Sequence, residues 1–307
     1  MIDFAAASQA AGDLDVRWNF GAPGEPPVQV HRPDPHTVLL RQSKRTSYEA
    51  PFLYLLFGNA RALLLDTGAT ADPAEFPLRT TVDGLIADWL AANPREQYEL
   101  VVAHTHGHGD HVAGDPQFEG RLRTTVVARE AEAVREFFGF GSWPDEVVRF
   151  DLGGRVLELT GIPGHHPASV AIFDPWTGFL LTGDTVYPGR LYGSDPAAFA
   201  ASLDRLAGFA AARPVTHVLG CHIEMSRRPG RDYPIGTTYQ PDEPPLQMTV
   251  AQLMAVRDAA AVAASRPGVH PSDDFIIYSG PCRVAVIRQL ARTAIGRATG
   301  RGRPPKG

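Results

Sequence analysis

The alternation of apolar and polar positions divides the chain into short strands and a few helices. Thr37–Gln42, Phe52–Phe57 and Arg61–Asp66 are β-rich runs, with Gly58-Asn59 as a hairpin turn between the last two. Thr80–Ala92 sets Val82, Leu85, Ile86, Trp89 and Leu90 at helical spacing. Leu100-Val101-Val102-Ala103 is a continuous apolar run of buried-strand type. Helices are expected within 112–119 and 129–138. Further strands are expected at Thr124–Ala128, Val147–Phe150, Val156–Thr160, Val170–Phe173, Phe179–Thr182 and Val215–Leu219. Asp195-Pro196 signals the start of a helix over Ala197–Ala212, and Thr249 caps one running to Ser265. Phe275–Tyr278 and Cys282–Ala294 read as a last strand and a last helix.

This rhythm implies an irregular N-terminal lead-in (1–36), one domain (37–295, halves about 37–160 and 161–295) and a flexible Arg/Gly/Pro tail (296–307). Strands and helices alternate in each half. Leu63-Leu64-Leu65-Asp66-Thr67-Gly68 is echoed by Leu180-Leu181-Thr182-Gly183-Asp184-Thr185, a faint sign of duplication. The expected fold is α/β (α+β), a four-layer αβ/βα sandwich with two mixed sheets face to face and helices outside. Residues 225–248 break the period with five prolines. A long aperiodic stretch inside a domain is often functional.

The apolar run 100–103 leads into His104-Thr-His-Gly-His-Gly-Asp-His111, which puts this cluster at the C-terminal mouth of a strand. His106, His108, Asp110 and His111 concentrate three imidazoles and a carboxylate, the usual non-thiolate ligands of zinc, within six residues. Three later fragments share a design of short strand, turn and metal-capable side chain. They are Gly161-Ile-Pro-Gly-His165-His166-Pro167, Leu181-Thr-Gly-Asp184 and His217-Val-Leu-Gly-Cys221-His222.

Taken in this order, the four fragments resemble the metallo-β-lactamase-fold superfamily of hydrolases, over about residues 37–222. The resemblance implies one metal held by His106, His108 and His165, and a second by Asp110, His111 and His222. It implies Asp184 as the bridge between them and Asp66 as an aspartate that orients a metal-bound imidazole. His108 stands where di-iron redox relatives have Glu, which favours two Zn²⁺ and hydrolysis, with Mn²⁺ or Fe²⁺ as alternatives in either site. His165 rather than His166 fits the family order, and Cys221 reads as a buried thiol.

Seven ligands with one shared leave each metal at least three, with room for a water whose pKa two cations lower from 15.7 toward about 7. The expected reaction is attack of a metal-bridging hydroxide on an ester, lactone or thioester carbonyl, with Asp110 moving the proton. A β-lactam or phosphodiester is the alternative substrate, and a non-enzymatic zinc-binding module is a third, disfavoured reading. Asp184 ranks lactonase and glyoxalase-II-like chemistry above β-lactam cleavage. Tyr187, Tyr192, Arg227 and Tyr233 are candidate substrate contacts. The loops at 41–51, 139–146, 187–195 and 225–248 are candidate specificity determinants.

Composition narrows the partners. The chain has 307 residues, 44% hydrophobic and 21% charged, with a net charge of −5 that disfavours nucleic acid and anionic membrane. Only Lys44 and Lys306 are lysines, so the basic set that grips glutathione in the thioesterase relatives is missing. A small-molecule substrate is expected, and the family resemblance implies a homodimer. No apolar run reaches the roughly 20 residues of a membrane span. Met1-Ile2-Asp3-Phe4 opens no export signal, and Cys221 and Cys282 are expected as reduced thiols. A cytoplasmic location is therefore expected.

Overall fold

The computed structural model describes residues 1–5 and 14–298, without the side chains of 283–286, 290 and 296–298. The first sheet runs β1 (Val28–Asp34), β2 (Thr37–Gln42), β3 (Phe52–Phe57), β4 (Arg61–Leu65), β5 (Glu99–Ala103) and β6 (Thr124–Val126), in that spatial order. β1 to β4 pair antiparallel, whereas β5 is parallel to both β4 and β6. Helix α1 (Leu78–Ala92) connects β4 to β5. The short α2 (Gly109–Val112) and α3 (Ala131–Phe138) flank β6 in sequence.

The second sheet mirrors the first. Its chain order is β7 (Val147–Asp151), β8 (Val156–Gly161), β9 (Val170–Asp174) and β10 (Phe179–Gly183), then, beyond β11 (Arg190–Gly193) and α4 (Pro196–Ala211), β12 (His217–Gly220) and β13 (Gln247–Met248). Its spatial order is β13-β12-β10-β9-β8-β7, with β12 parallel to β10 as β5 is to β4. After α5 (Val250–Ser265), β14 (Gly268–Pro271) and β15 (Ile276–Ser279) join β11 in a small third sheet, and α6 (Arg283–Ala298) follows.

Strand periodicity sorts the core into layers, because successive side chains point to opposite faces. Leu53, Leu55 and Phe57 of β3 pack with Val82, Leu85, Ile86 and Trp89 of α1. Phe52, Tyr54 and Leu56 pack instead with Leu159, Ile172 and Leu181 of the second sheet. On the far side, Ala171, Phe173 and Leu180 meet Leu203 and Leu206 of α4 and Leu253 and Val256 of α5. The four layers are therefore helix, sheet, sheet, helix. β3 reads Phe-Leu-Tyr-Leu-Leu-Phe without a polar break because both its faces are buried. Each such leucine contributes about 1.5–3 kcal/mol.

Polar ties fix one sheet against the other. The Tyr54 hydroxyl donates to the Gly220 carbonyl at 2.6 Å, and Phe52 N–H donates to Cys221 O at 2.8 Å. Buried Arg155 on the second sheet pairs with Asp174 and donates to Thr37 Oγ1 and the carbonyls of His36 and Phe57.

Four strands depart from the sequence reading. β1 lies inside the segment read as irregular lead-in. Its pairing with β2 shifts register between His31 and Asp34, around Pro33, and only one face is well buried, so its alternation is faint. β11, β13 and β14 are only two to four residues long, and β11 and β13 take their pairing from segments well separated in sequence. Helix α2 begins inside the histidine motif, at Gly109, and a 3-10 turn at Asp115–Phe118 follows it. α6 runs to Ala298, past the expected Ala294 and into the segment read as tail. Residues 299–307, with Lys306, lie outside the described residues.

Candidate metal centre

The ends of β4, β5, β8, β10 and β12 all open at one edge of the sandwich, and each feeds a turn that carries a polar group. Asp66 follows β4, His104–His111 follow β5, His165 follows β8, Asp184 follows β10 and His222 follows β12. Gly183 has φ +52°, and a Cβ there would lie 2.7 Å from Thr105 Cβ. This glycine lets Asp184 reach the histidine turn.

Two donor groups result. His106, His108 and His165 form one, and Asp110, His111, Asp184 and His222 form the other, each with ligand atoms within 4.8 Å of one another. Asp184 sits between them. Its Oδ2 lies 3.9 Å from His106 Nε2, 3.7 Å from His165 Nε2 and 3.5 Å from His111 Nε2, while Oδ1 lies 3.3 Å from His222 Nε2. Asp110 Oδ2 is 3.3 Å from His222 Nε2 and 3.5 Å from His111 Nε2. His106, His111, His165, Asp184 and His222 are buried, whereas His108 is exposed and Asp110 half-buried.

The far nitrogen of most rings is anchored. His165 Nδ1 donates to the Tyr192 carbonyl at 3.0 Å, His222 Nδ1 to the Glu49 carbonyl at 3.1 Å and His111 Nδ1 to Asp66 Oδ2 at 2.9 Å. The Thr105 hydroxyl donates to Asp66 Oδ2 at 2.9 Å, which leaves it to accept from His106 Nδ1 at 3.2 Å. Protons on Nδ1 leave Nε2 lone pairs aimed at the centre.

Those lone pairs test whether a metal fits. His106 Nε2 and His165 Nε2 face each other across 3.2 Å, with His108 Nδ1 at 2.9 and 3.0 Å from them. Nitrogens about 2.1 Å from a tetrahedral zinc sit roughly 3.4 Å apart. Buried His111 Nε2 and Asp184 Oδ1 have no hydrogen-bond partner, a rare condition that a cation relieves. The donor set fits a pair of divalent ions.

Charge at the centre is polarised. Burial opposes a proton on His222, but Asp184 and Asp110 outweigh it and raise its pKa to about 9. Burial likewise opposes charge on His111, and Asp184 and Asp66 more than offset it. Burial would raise Asp110 and Asp184, yet the neighbouring imidazoles hold both well below the usual carboxylate range. Burial lowers His106 and His165, which favours the neutral form a ligand takes, while the proton that the carboxylates favour on His111 and His222 is one a bound cation would displace.

Residues near the motif fall into place as supports. His104 pairs with Asp115 at 2.8 Å. His166 Nδ1 accepts from Ala168 N–H at 3.1 Å, and the ring stands beside the first donor group. Buried Cys221 donates its thiol to Asp66 Oδ2 at 3.2 Å, and Asp66, His111 and Cys221 form a further compact group.

A cavity of about 350 Å³ opens on the centre, lined by Tyr48, Glu49, Tyr187, Arg190, Tyr192, Ser194, Glu224 and Ile235 beside the donor side chains. Tyr187 and Tyr192 are therefore at the centre. The Tyr187 hydroxyl donates to the Arg190 carbonyl. Arg227 and Tyr233 are not in this lining. Arg227 faces two other cavities, and the Tyr233 hydroxyl accepts from Asp242 N–H. The loops 41–51 and 187–195 line the cavity, 225–248 reaches it through Ile235, and 139–146 supplies no lining residue. Tyr48, Glu49, Arg190 and Glu224 escaped the sequence reading. The loops named at 41–51 and 187–195 contain Tyr48, Glu49 and Arg190 without singling them out, and Glu224 stands two residues after His222.

Layer order and site together describe a metal-dependent αβ/βα sandwich enzyme. A family model described as the Metallo-beta-lactamase superfamily matches residues 50–217, and the chain belongs to that superfamily of hydrolases. The chain is similar to a hydroxyacylglutathione hydrolase of Synechococcus sp., 29% identical over 68% of this chain and 77% of that protein. It is similar to one of Dechloromonas aromatica as well, 27% identical over 69% and 71%. The fold is shared with DIM-1 metallo-beta-lactamase at TM-score 0.52 and 13% identity, over 78% of this chain and 99% of that one. TMB-1 gives TM-score 0.51 and 16% identity, over 78% and 100%. Among the described residues, no helix is long and apolar enough to cross a membrane.

Proposed function

We propose that the chain is a dinuclear zinc hydrolase of small-molecule thioesters and related esters or lactones. The observation that carries this reading is Asp184, whose carboxylate lies between the two donor groups, with Oδ2 near both His165 and His111 and Oδ1 beside His222. His106, His108 and His165 would hold one ion, Asp110, His111 and His222 the other, and Asp184 both. Zinc there would lower the pKa of water and polarise the substrate carbonyl.

The chain's own residues do the rest. Asp66, Thr105 and the carbonyls of Glu49 and Tyr192 fix the imidazole rings, so that little reorganisation is needed as charge develops. Asp110 is half-buried at the cavity, with Oδ2 turned to His222 and His111. It accepts the proton of the attacking water and returns it to the leaving thiolate or alkoxide. Tyr187 and Tyr192 wall the cavity beside the carbonyl. The hydroxyacylglutathione hydrolase relatives favour thioesters among the candidates.

The test is a panel of thioesters, lactones, β-lactams and phosphodiesters on zinc-loaded protein. Thioester or lactone turnover that is lost to a chelator and restored by Zn²⁺ supports the reading. Turnover of the phosphodiester alone, or turnover indifferent to chelator, overturns it.

A further inference from the structure

The cavity wall is unusual in how its charges are spent. Among the described residues Arg190 is its one arginine or lysine, and both terminal nitrogens of its guanidinium are already engaged. It pairs with Glu224 and, at 3.1 Å, with Asp232 Oδ2, and donates to the Tyr233 carbonyl at 2.7 Å. Glu224 is saturated in turn by Arg190 N–H and the Tyr187 hydroxyl. Lys44 turns to Glu243, 3.5 Å away, and Arg227 lies outside the cavity. Glu49 differs. Burial pushes its carboxyl up, the neighbouring His222 imidazole and Tyr48 hydroxyl pull it back down, and among the described residues no arginine or lysine pairs with it. Tyr48 is exposed beside it, and Tyr192 faces the same cavity.

A carboxylate without an arginine or lysine partner, in a cavity that tyrosine rings also line, attracts a cation and repels an anion. The rings add attraction for an ammonium group, strongest when it is partly desolvated. Glutathione, the portion named in the relatives' substrates, carries carboxylates, and among the described residues no arginine or lysine of the cavity wall is left unpaired to receive them. We propose that Glu49 is a specificity-determining residue, and that the substrate bears a positively charged nitrogen near the scissile carbonyl rather than a carboxylate. This rests on the hydrolase reading above.

The test uses three thioesters with one common acyl group. Their thiol portions are thiocholine (cationic), methoxyethanethiol (neutral) and mercaptopropionate (anionic). The matching non-hydrolysable thioethers are titrated by calorimetry. For zinc-loaded wild type, kcat/KM and affinity should both fall from cationic through neutral to anionic, by about tenfold overall, and the gap should shrink with rising salt. Glu49→Gln should narrow the cation-to-anion ratio to about threefold or less. A preference for the anionic member, a ratio indifferent to salt in wild type, or an unchanged ratio in Glu49→Gln would overturn the inference. So would thioethers that do not bind. Should the thioethers follow the charge order while no thioester is cleaved, the reaction assignment fails and the charge selectivity stands.

Discussion

Asp66→Asn isolates the support beneath the second donor group. Asp66 adopts φ +68°, a left-handed backbone that asparagine tolerates almost as well as aspartate, so the turn after β4 survives the exchange. What changes is the acceptor. Asp66 Oδ2 receives the His111 Nδ1 proton at 2.9 Å, the Thr105 hydroxyl at 2.9 Å and the Cys221 thiol at 3.2 Å, while Oδ1 receives Thr105 N–H at 2.7 Å. An amide keeps one oxygen, and its NH₂ must face donors. Loss of such an outer carboxylate costs about 10–100-fold in metal affinity, or about 1.4–2.7 kcal/mol. The expected result of competition titration against a chromophoric chelator is one zinc weakened by that factor, the one held by Asp110, His111 and His222. The other zinc, on His106, His108 and His165, is reached from Asp66 only through the Thr105 hydroxyl and should weaken less. Thermal unfolding of the zinc-free protein checks that the fold persists. Equal weakening of both zincs, or of neither, would refute the assignment of Asp66 to one side of the centre.

Asp184→Asn and His108→Ala should each cut turnover by orders of magnitude while far-ultraviolet circular dichroism stays native, since both residues sit in turns outside the core; unchanged turnover would displace them from the centre. Chelation should abolish activity and lower the melting temperature, and added Zn²⁺ should restore both, because an ion that binds only the folded chain stabilises it. Arg155→Met should cost about 3–5 kcal/mol by leaving buried Asp174 unpaired, read as a lower midpoint in denaturant, and the double variant Arg155→Met/Asp174→Leu should recover part of that loss.

Much of the site was legible because its chemistry is local. His106, His108, Asp110 and His111 lie within six residues, and each later fragment pairs an apolar strand with a turn residue that reaches the same edge. The apolar face of α1 followed from its period, whereas β3 was legible only as a strand, since burial on both sides leaves an all-apolar run. The strands that went unread are short, lie at sheet edges, or take their hydrogen bonds from afar. β1 is an edge strand with one wet face, and β11 gains its place by lying parallel to β15, more than eighty residues on. Position in three dimensions also decided the cavity wall. Glu49 reaches it because the loop after β2 folds over His222, and the Glu49 carbonyl binds that imidazole. Arg227 turns to another cavity, although it follows His222 closely in sequence. Side chains that chelate announce themselves by type and spacing, whereas those that shape a cavity do not.

Anomalous scattering at the zinc edge, from crystals of zinc-loaded protein, tests the central claim most directly. Two peaks should appear, one among His106, His108 and His165 and one among Asp110, His111 and His222, with the Asp184 carboxylate between them. A single peak, or a peak away from Asp184, would contradict a shared two-metal centre.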